Sequence, residues 1–324
     1  MILTVTPNPA IDLTWRVERL TPGAVHRVPT GASRAGGKGV NVARVLHATG
    51  HDVVALTTAG GTTGDELRVD LEASGLRHRL VPTASPTRRS IAVVDRSSGD
   101  ATILNELGTP LSSAESAALA NAAADLGRSA RAVAISGSLP PGFHPDELGA
   151  LVGRLVAMGV PVVVDTSGPG ILAAAHAGAD ALKPNREELA DATGLADPIA
   201  GARSLIRSGA RLVVVSLGEE GLLVVTAEAP TLHARLAVPL RGNPTGAGDA
   251  AVAAVTAATA TGADVWSLTE AAAAERVRLA RRAVAWSASA VLMPLAGELS
   301  ARHVELETEV VVTQLEHATD EEHA

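Results

Sequence analysis

Ala132-Val133-Ala134-Ile135-Ser136 and Pro161-Val162-Val163-Val164-Asp165 are short apolar runs, and the stretch between them, 146–158, suits a helix. Runs of this length, rich in β-branched residues and bounded by turn residues, read as buried strands. A helix between two such strands carries the chain back over the sheet, so the second strand lies parallel to the first. The same rhythm extends outward in both directions. Further strand candidates are 2–6, 53–58, 180–183 and 212–216, and further helical stretches lie near 39–49, 65–74, 113–126, 186–193 and 198–208. This alternation predicts an α/β fold, a mostly parallel central sheet covered by helices on both faces.

Composition agrees with a large buried core built without rings. Of the 324 residues 46% are hydrophobic, yet the only aromatic residues are Trp15, Phe143, Trp266 and Trp286, so Val, Leu and Ala must fill the interior. The formal net charge of −8 argues against nucleic acid or an anionic membrane as partner. The absence of cysteine excludes disulfides, thiolate metal sites and a cysteine nucleophile. Met1-Ile2-Leu3-Thr4-Val5 lacks the basic start of a signal peptide, and no apolar run is long enough to span a bilayer, so a soluble, cytoplasmic protein is expected.

Two segments break the rhythm. Residues 12–30 alternate Val with charged positions and show no helical period, and 88–105 read as a hairpin turning at Ser97-Ser98-Gly99-Asp100. These extra strands are expected to form a small appendage over one edge of the main sheet. The acidic end, 319–324, is expected to fray.

The most specific motif is Gly242-Asn243-Pro244-Thr245-Gly246-Ala247-Gly248-Asp249-Ala250, followed by an Ala/Val helix to about 260. A helix starting here directs free N–H groups and its positive end at whatever lies in front, an anion hole suited to a transferring phosphoryl group. Asp249 stands in the first turn, placed either to complement the helix dipole or to take a proton beside that hole. The dipole itself is expected to lower the Asp249 pKa.

Gly36-Gly37-Lys38-Gly39 opens a second helix. It is not a P-loop, because Gly39 stands where a Ser or Thr would be needed. It permits close approach of a ligand to the backbone, with Lys38 and Asn41 as donors, or it is only a tight connection with a solvated lysine. In Lys183-Pro184-Asn185-Arg186-Glu187-Glu188-Leu189, Asn185 and Glu188 have capping-box spacing, and their oxygens also suit a hydrated Mg²⁺. Ser216-Leu217-Gly218-Glu219-Glu220-Gly221 reads either as a loop passing close to a nucleotide or as a simple turn. Asp12 leaves the first strand on the same side, free to accept sugar hydroxyls or to cap a turn. Arg88 begins the odd hairpin, either as a phosphate ligand or as a solvated surface residue. These loops follow the carboxyl ends of predicted strands, where open α/β sheets bind ligands.

Taken in order, Thr6–Asp12, Gly36–Arg44, Ser136–Gly142, Lys183–Leu189, Ser216–Gly221 and Gly246–Asp249 resemble the ribokinase-like sugar kinases of the phosphofructokinase-B family. The branch of 1-phosphofructokinases and tagatose-6-phosphate kinases is the most similar. The resemblance spans nearly the whole chain and implies one ribokinase-like domain over 1–324. That domain is a three-layer sandwich with a small β lid formed by insertions at about 12–30 and 88–105. It implies Asp249 as catalytic base and the N–H groups of Gly246, Ala247 and Gly248 as anion hole. Asp12, Gly37, Lys38 and Asn41 fall on the sugar-facing side, and Arg88, with Arg27 as a weaker candidate, on the substrate phosphate. Lys183, Asn185, Ser216, Gly218 and Gly221 match positions near the nucleotide, and Asn185 and Glu188 match the element that organises Mg²⁺. Lid strands with exposed edges imply pairing as a homodimer.

The implied activity is transfer of a phosphoryl group from ATP, with Mg²⁺, to a ketohexose monophosphate. Fructose 1-phosphate is the first expectation and tagatose 6-phosphate the second. Asn243-Pro244-Thr245 looks more like the tagatose-6-phosphate kinases, and Arg89-Ser90 stands where relatives often carry an amide side chain, so the sugar stays open. A catalytically silent sugar-phosphate sensor is the reading from another class. A nicotinamide-dependent oxidoreductase would need GxGxxG after the first strand, where Pro7-Asn8-Pro9 stands instead.

Overall fold

The computed structural model describes residues 1–315, so the expectation for 319–324 lies outside the described residues. The chain begins with β1 (Ile2–Thr6), β2 (Ala10–Val17), β3 (Ala32–Gly36), α1 (Lys38–Ala48), β4 (Val53–Ala59) and α2 (Gly61–Ala73). It continues with β5 (His78–Pro82), β6 (Arg88–Asp95), β7 (Ala101–Asn105), α3 (Ser113–Gly127), β8 (Ala132–Ser136), α4 (Pro145–Ala157), β9 (Val162–Asp165) and α5 (Pro169–His176). Then come β10 (Ala181–Leu182), α6 (Arg186–Thr193), α7 (Pro198–Arg207), β11 (Leu212–Ser216), β12 (Leu222–Thr226) and β13 (Thr231–Leu236). The last elements are α8 (Ala247–Thr259), α9 (Glu270–Val291), α10 (His303–Glu309) and β14 (Val310–Leu315).

Ten strands form the main sheet in the order β14-β13-β12-β11-β10-β9-β8-β1-β4-β5. Every pairing from β11 to β5 is parallel, while β12, β13 and β14 add an antiparallel margin. The alternation along each central strand sorts its side chains onto two faces. Ala132 and Ala134 of β8 face α1, α2, α8 and α9, whereas Val133 and Ile135 face α3, α4, α5 and α7. On the first face, small residues (Ala55, Ala132, Ala134, Ala181) meet the Ala-rich α8, so that helix packs close to the sheet. Close packing is what fixes its N-terminus relative to the strand ends. On the second face Leu148, Leu151 and Leu155 of α4 are buried, at about 1.5–3 kcal/mol for each large apolar side chain removed from water.

A second sheet has the order β3-β2-β6-β7, with β2 and β6 parallel and the outer pairs antiparallel. It covers the expected insertions with different bounds. The 12–30 stretch is strand only to Val17, and Pro22, Gly23 and Pro29 keep residues 18–31 irregular, with Ala24 N–H turned back to Thr21 O. The returning strand β3 begins only at Ala32. Also absent from the sequence reading are β5, α5, α9, α10 and the β12–β14 margin. β11, β12 and β13 follow one another without an intervening α-helix, and β14 returns beside β13 only after α8, α9 and α10, so strand–helix alternation carries no sign of this margin. Among the described residues no helix is long and apolar enough to cross a membrane.

Candidate active site

Because β1, β8, β9, β10 and β11 are parallel, their carboxyl ends open onto one side of the sheet. Asp165 ends β9 there and is 1% exposed. Its Oδ2 lies 3.3 Å from Lys38 Nζ and accepts a hydrogen bond from Ser136 Oγ at 3.2 Å, and its Oδ1 lies 3.3 Å from Lys183 Nζ. Burial pushes this carboxyl up, but the two ammonium groups outweigh burial and hold it below its usual range. Lys38 also reaches Glu188 Oε1 at 3.6 Å, and its pKa is raised, chiefly by Asp165. Lys183 is buried, and its Nζ lies 3.6 Å from where a Cβ on Gly248 would sit, so its charge is directly beneath the head of α8.

Asp249, in the first turn of α8, is 6% exposed and accepts a hydrogen bond from Asn41 Nδ2 at 2.8 Å. Its pKa is raised to about 6: burial dominates, Asp165 adds repulsion, and Lys38, Asn41 and Lys183 oppose. This corrects the expectation of a lowered value. Burial of a charge is worth more than the half-charge of a helix end. Asp12 of β2 is raised further, to about 7, by burial and by Asp249, against the pull of Arg88, Arg34 and Arg44. Its carboxyl fills the space that a side chain at residue 36 would need, which explains Gly36. Gly37 caps α1 at φ 101°, a conformation only glycine adopts easily, with Thr6 and Pro9 close behind it.

The remaining predicted residues divide. Asn185 caps α6 in a reciprocal pair with Glu188, with Glu188 N–H on Asn185 Oδ1 (2.8 Å) and Asn185 N–H on Glu188 Oε2 (3.0 Å). Glu188 Oε1 is turned to Lys38, toward Asp165. Ser216 bridges to Asn185, while Gly218 and Gly221, at φ 64° and 93°, form a turn closed by Leu217 N–H on Gly221 O (2.8 Å). Any side chain at Gly221 would collide with Ala234 O. Arg88 donates to Asn8 O (3.1 Å) and Glu106 O (2.9 Å), so its guanidinium is held beside Asp12 by backbone carbonyls. Arg27 lies exposed in the 18–31 loop. Of the three expected anion-hole amides, Ala247 N–H turns back to Pro244 O at 3.2 Å.

Sequence reasoning overlooked Asp165, the group on which Lys38 and Lys183 converge. The available signal was an acid ending an otherwise all-valine strand. It also overlooked Asn8, whose Nδ2 donates to Leu107 O and Ser138 Oγ, both at 3.1 Å. Among the described residues, no cluster of three or more His, Asp or Glu side chains could hold a metal ion on protein ligands alone.

A family model, pfkB family carbohydrate kinase, matches residues 6–289. The 1-phosphofructokinase of Xanthomonas campestris is 38% identical over 265 residues, covering 79% of this chain and 83% of its own. The ATP-dependent 6-phosphofructokinase isozyme 2 of Mycobacterium tuberculosis is 36% identical over 276 residues, covering 82% and 79%. The tetrameric inhibited form of phosphofructokinase-2 from Escherichia coli superposes with a TM-score of 0.84 at 28% identity, covering 95% of this chain and 98% of that one. Arabidopsis thaliana ribokinase, at 20% identity and TM-score 0.68, shares the fold. The fold is ribokinase-like α/β and the protein is a sugar-phosphate kinase of phosphofructokinase type, a phosphotransferase with an alcohol group as acceptor: the chain belongs to the pfkB family of carbohydrate kinases.

Proposed function

We propose that this kinase transfers the γ-phosphoryl group of ATP to a ketohexose monophosphate, converting fructose 1-phosphate to fructose 1,6-bisphosphate. The observation that carries the reading is Asp249, a buried carboxyl with a raised pKa at the head of α8. The substrate hydroxyl oxygen bonds to the γ-phosphorus as the bond to the β,γ-bridging oxygen of ATP breaks. The hydroxyl proton passes to Asp249, held by Asn41. The first-turn amides of α8 and the ammonium groups of Lys183 and Lys38 oppose the charge on the moving group. A raised pKa suits a base that must take a proton near neutrality better than an ordinary carboxylate does.

Mg²⁺ fits the donor set: Glu188 Oε1 and Asp165 Oδ2 lie on either side of Lys38, and Asp165 Oδ1 faces the Lys183 ammonium at 3.3 Å. With so few oxygens the ion would keep most of its waters, as Mg²⁺ usually does, with Asn185 reaching it through water. When bound it would neutralise charge on the nucleotide phosphates. The nucleotide is assigned to the side of Ser216, Gly218 and Gly221, and the sugar to the side of Asp12, Gly37 and Asn41. Under this reading the second sheet is a lid that excludes water on closure, and its exposed edge strand β7 pairs two subunits.

The test is ATP consumption over fructose 1-phosphate, fructose 6-phosphate, tagatose 6-phosphate and ribose. The highest kcat/KM is expected for fructose 1-phosphate. A preference for tagatose 6-phosphate would move the assignment, and no turnover with any of them would leave the silent-sensor reading. Arg88→Ala is expected to raise KM for the phosphosugar about 10-fold or more with kcat little changed, since it removes ground-state binding of phosphate. An unchanged KM would confine Arg88 to its two backbone carbonyls.

A further inference from the structure

The connection between α9 and α10 packs against the head of α8. A Cβ placed on Gly246 would lie 2.8 Å from Ala296 Cα and 3.3 Å from Gly297 N. On the opposite side, a Cβ on Gly297 would lie 3.2 Å from Asn41 Cα and 3.1 Å from Arg44 Cδ. Residues 296 and 297 are therefore a wedge between α1, which carries Asn41, and the left-handed glycine that starts α8 (φ 89°). On the Gly246 side the approach is to Ala296 Cα and Gly297 N, with no flexible side chain to absorb a shift, so movement of the wedge reaches Gly246 through backbone atoms.

Arg34 holds this wedge from the second sheet. It stands on β3, directly opposite Asp12 in the β2–β3 register. Its Nη1 donates to Ala296 O at 3.3 Å and pairs with Glu298 Oε1 at 3.1 Å. Both side chains are mostly shielded, at 19% and 29% exposure, where a charge-assisted contact is firmer than at a fully exposed surface. One guanidinium thus joins the strand pair that carries Asp12 to the loop that seats the α8 terminus.

We propose that Arg34 is a positioning residue for phosphoryl transfer, tying the sugar-side sheet through Ala296 and Glu298 to Gly246. The amides at the head of α8 then take their working geometry only when that sheet is in place. The inference rests on reading the head of α8 as the anion hole. Arg34 need not touch substrate, and its effect is expected in kcat.

The experiment compares kcat, both KM values and Tm for Arg34→Ala, Arg34→Lys, Arg34→Glu and Arg34→Glu/Glu298→Arg, using ATP and the best substrate of the panel. Arg34→Ala is expected to lower kcat roughly 10- to 100-fold, as small displacements of a catalytic geometry do. Both KM values are expected to stay within about twofold, and Tm to stay near that of the wild type. Arg34→Lys should recover part of the loss, and the reversed pair should exceed Arg34→Glu alone. Wild-type kcat in Arg34→Ala would overturn the proposal. So would a loss confined to the phosphosugar KM, or a reversed pair no better than Arg34→Glu. Gly246→Ala separates the underlying reading: wild-type kcat in that variant would sink the anion hole itself, whatever Arg34→Ala does.

Discussion

Asp249→Asn is expected to lower kcat by roughly 10²- to 10⁴-fold, the usual contribution of a positioned general base, while nucleotide affinity is kept. The substitution is nearly isosteric, and an amide oxygen at the same place still accepts from Asn41 Nδ2. What disappears is the proton acceptor. Near-normal kcat would refute the assignment. The same variant is expected to be more stable than the wild type. The Asp249 carboxyl moves from 3.8 to about 6 on folding, so the folded state favours its protonated form. Its contribution to stability is fully present below 3.8 and is lost as the pH rises through about 6. Above that range a shift of this size is worth about 3 kcal/mol against the native state, a penalty the asparagine lacks. The gap in Tm should therefore open between pH 4 and 6 and stay constant above, at roughly a few degrees or more. Thermal scans at acid and neutral pH measure it, and equal Tm at pH 7.5 would contradict the burial argument. The wild-type kcat/KM is expected to fall as the pH drops through about 6, because the base must be ionised in the free enzyme. Lys38→Gln should move that limb upward, since Lys38 is the strongest influence holding the Asp249 pKa down.

Asp165→Ala carries the largest expected cost to the fold. It removes the counter-charge of Lys183, whose side chain is 4% exposed, and one of the two anchors of Lys38. Breaking a buried pair from one side typically costs about 3–5 kcal/mol, because the remaining charge stays desolvated. A Tm loss of roughly 6–15 °C would follow for a chain of this size. Asp165→Ala combined with Lys183→Met separates charge from packing. If the stranded ammonium is the cause, the double variant regains much of the lost Tm. Activity is expected to stay low in both, because Lys38 has lost the anchor that holds it between Asp165 and Glu188 near Asp249. Wild-type Tm in Asp165→Ala would show that the two lysines do not depend on this carboxylate.

These outcomes turn on features that differ in how far the chain displays them. The strand–helix alternation over 113–216 is a local signal: apolar period, turn residues and caps lie within a few positions of one another. Strands β8, β9 and β11 and helices α3, α4, α6 and α7 could therefore be placed within a residue or two. The capping pair of Asn185 and Glu188 is legible for the same reason, since its partners are three residues apart. The β12–β14 margin and the long α9 escaped because neither takes part in that alternation.

Sequence by itself determined the α/β class, the loops that carry the chemistry and the order of the motifs, all of which depend on neighbouring residues. Tertiary structure alone decided what those loops do to one another. Asp165 became the meeting point of two lysines because parallel strands bring β9 and β10 side by side and Lys38, the first residue of α1, reaches the end of β9. The pKa of Asp249 moved up because residues far away in the chain bury it, overriding the helix end that local reasoning had weighed. Arg34 acquired its partner in Glu298 by packing that no spacing announces. Short-range periodicity is written along the chain, whereas burial and long-range charge pairing exist only once the chain has closed on itself.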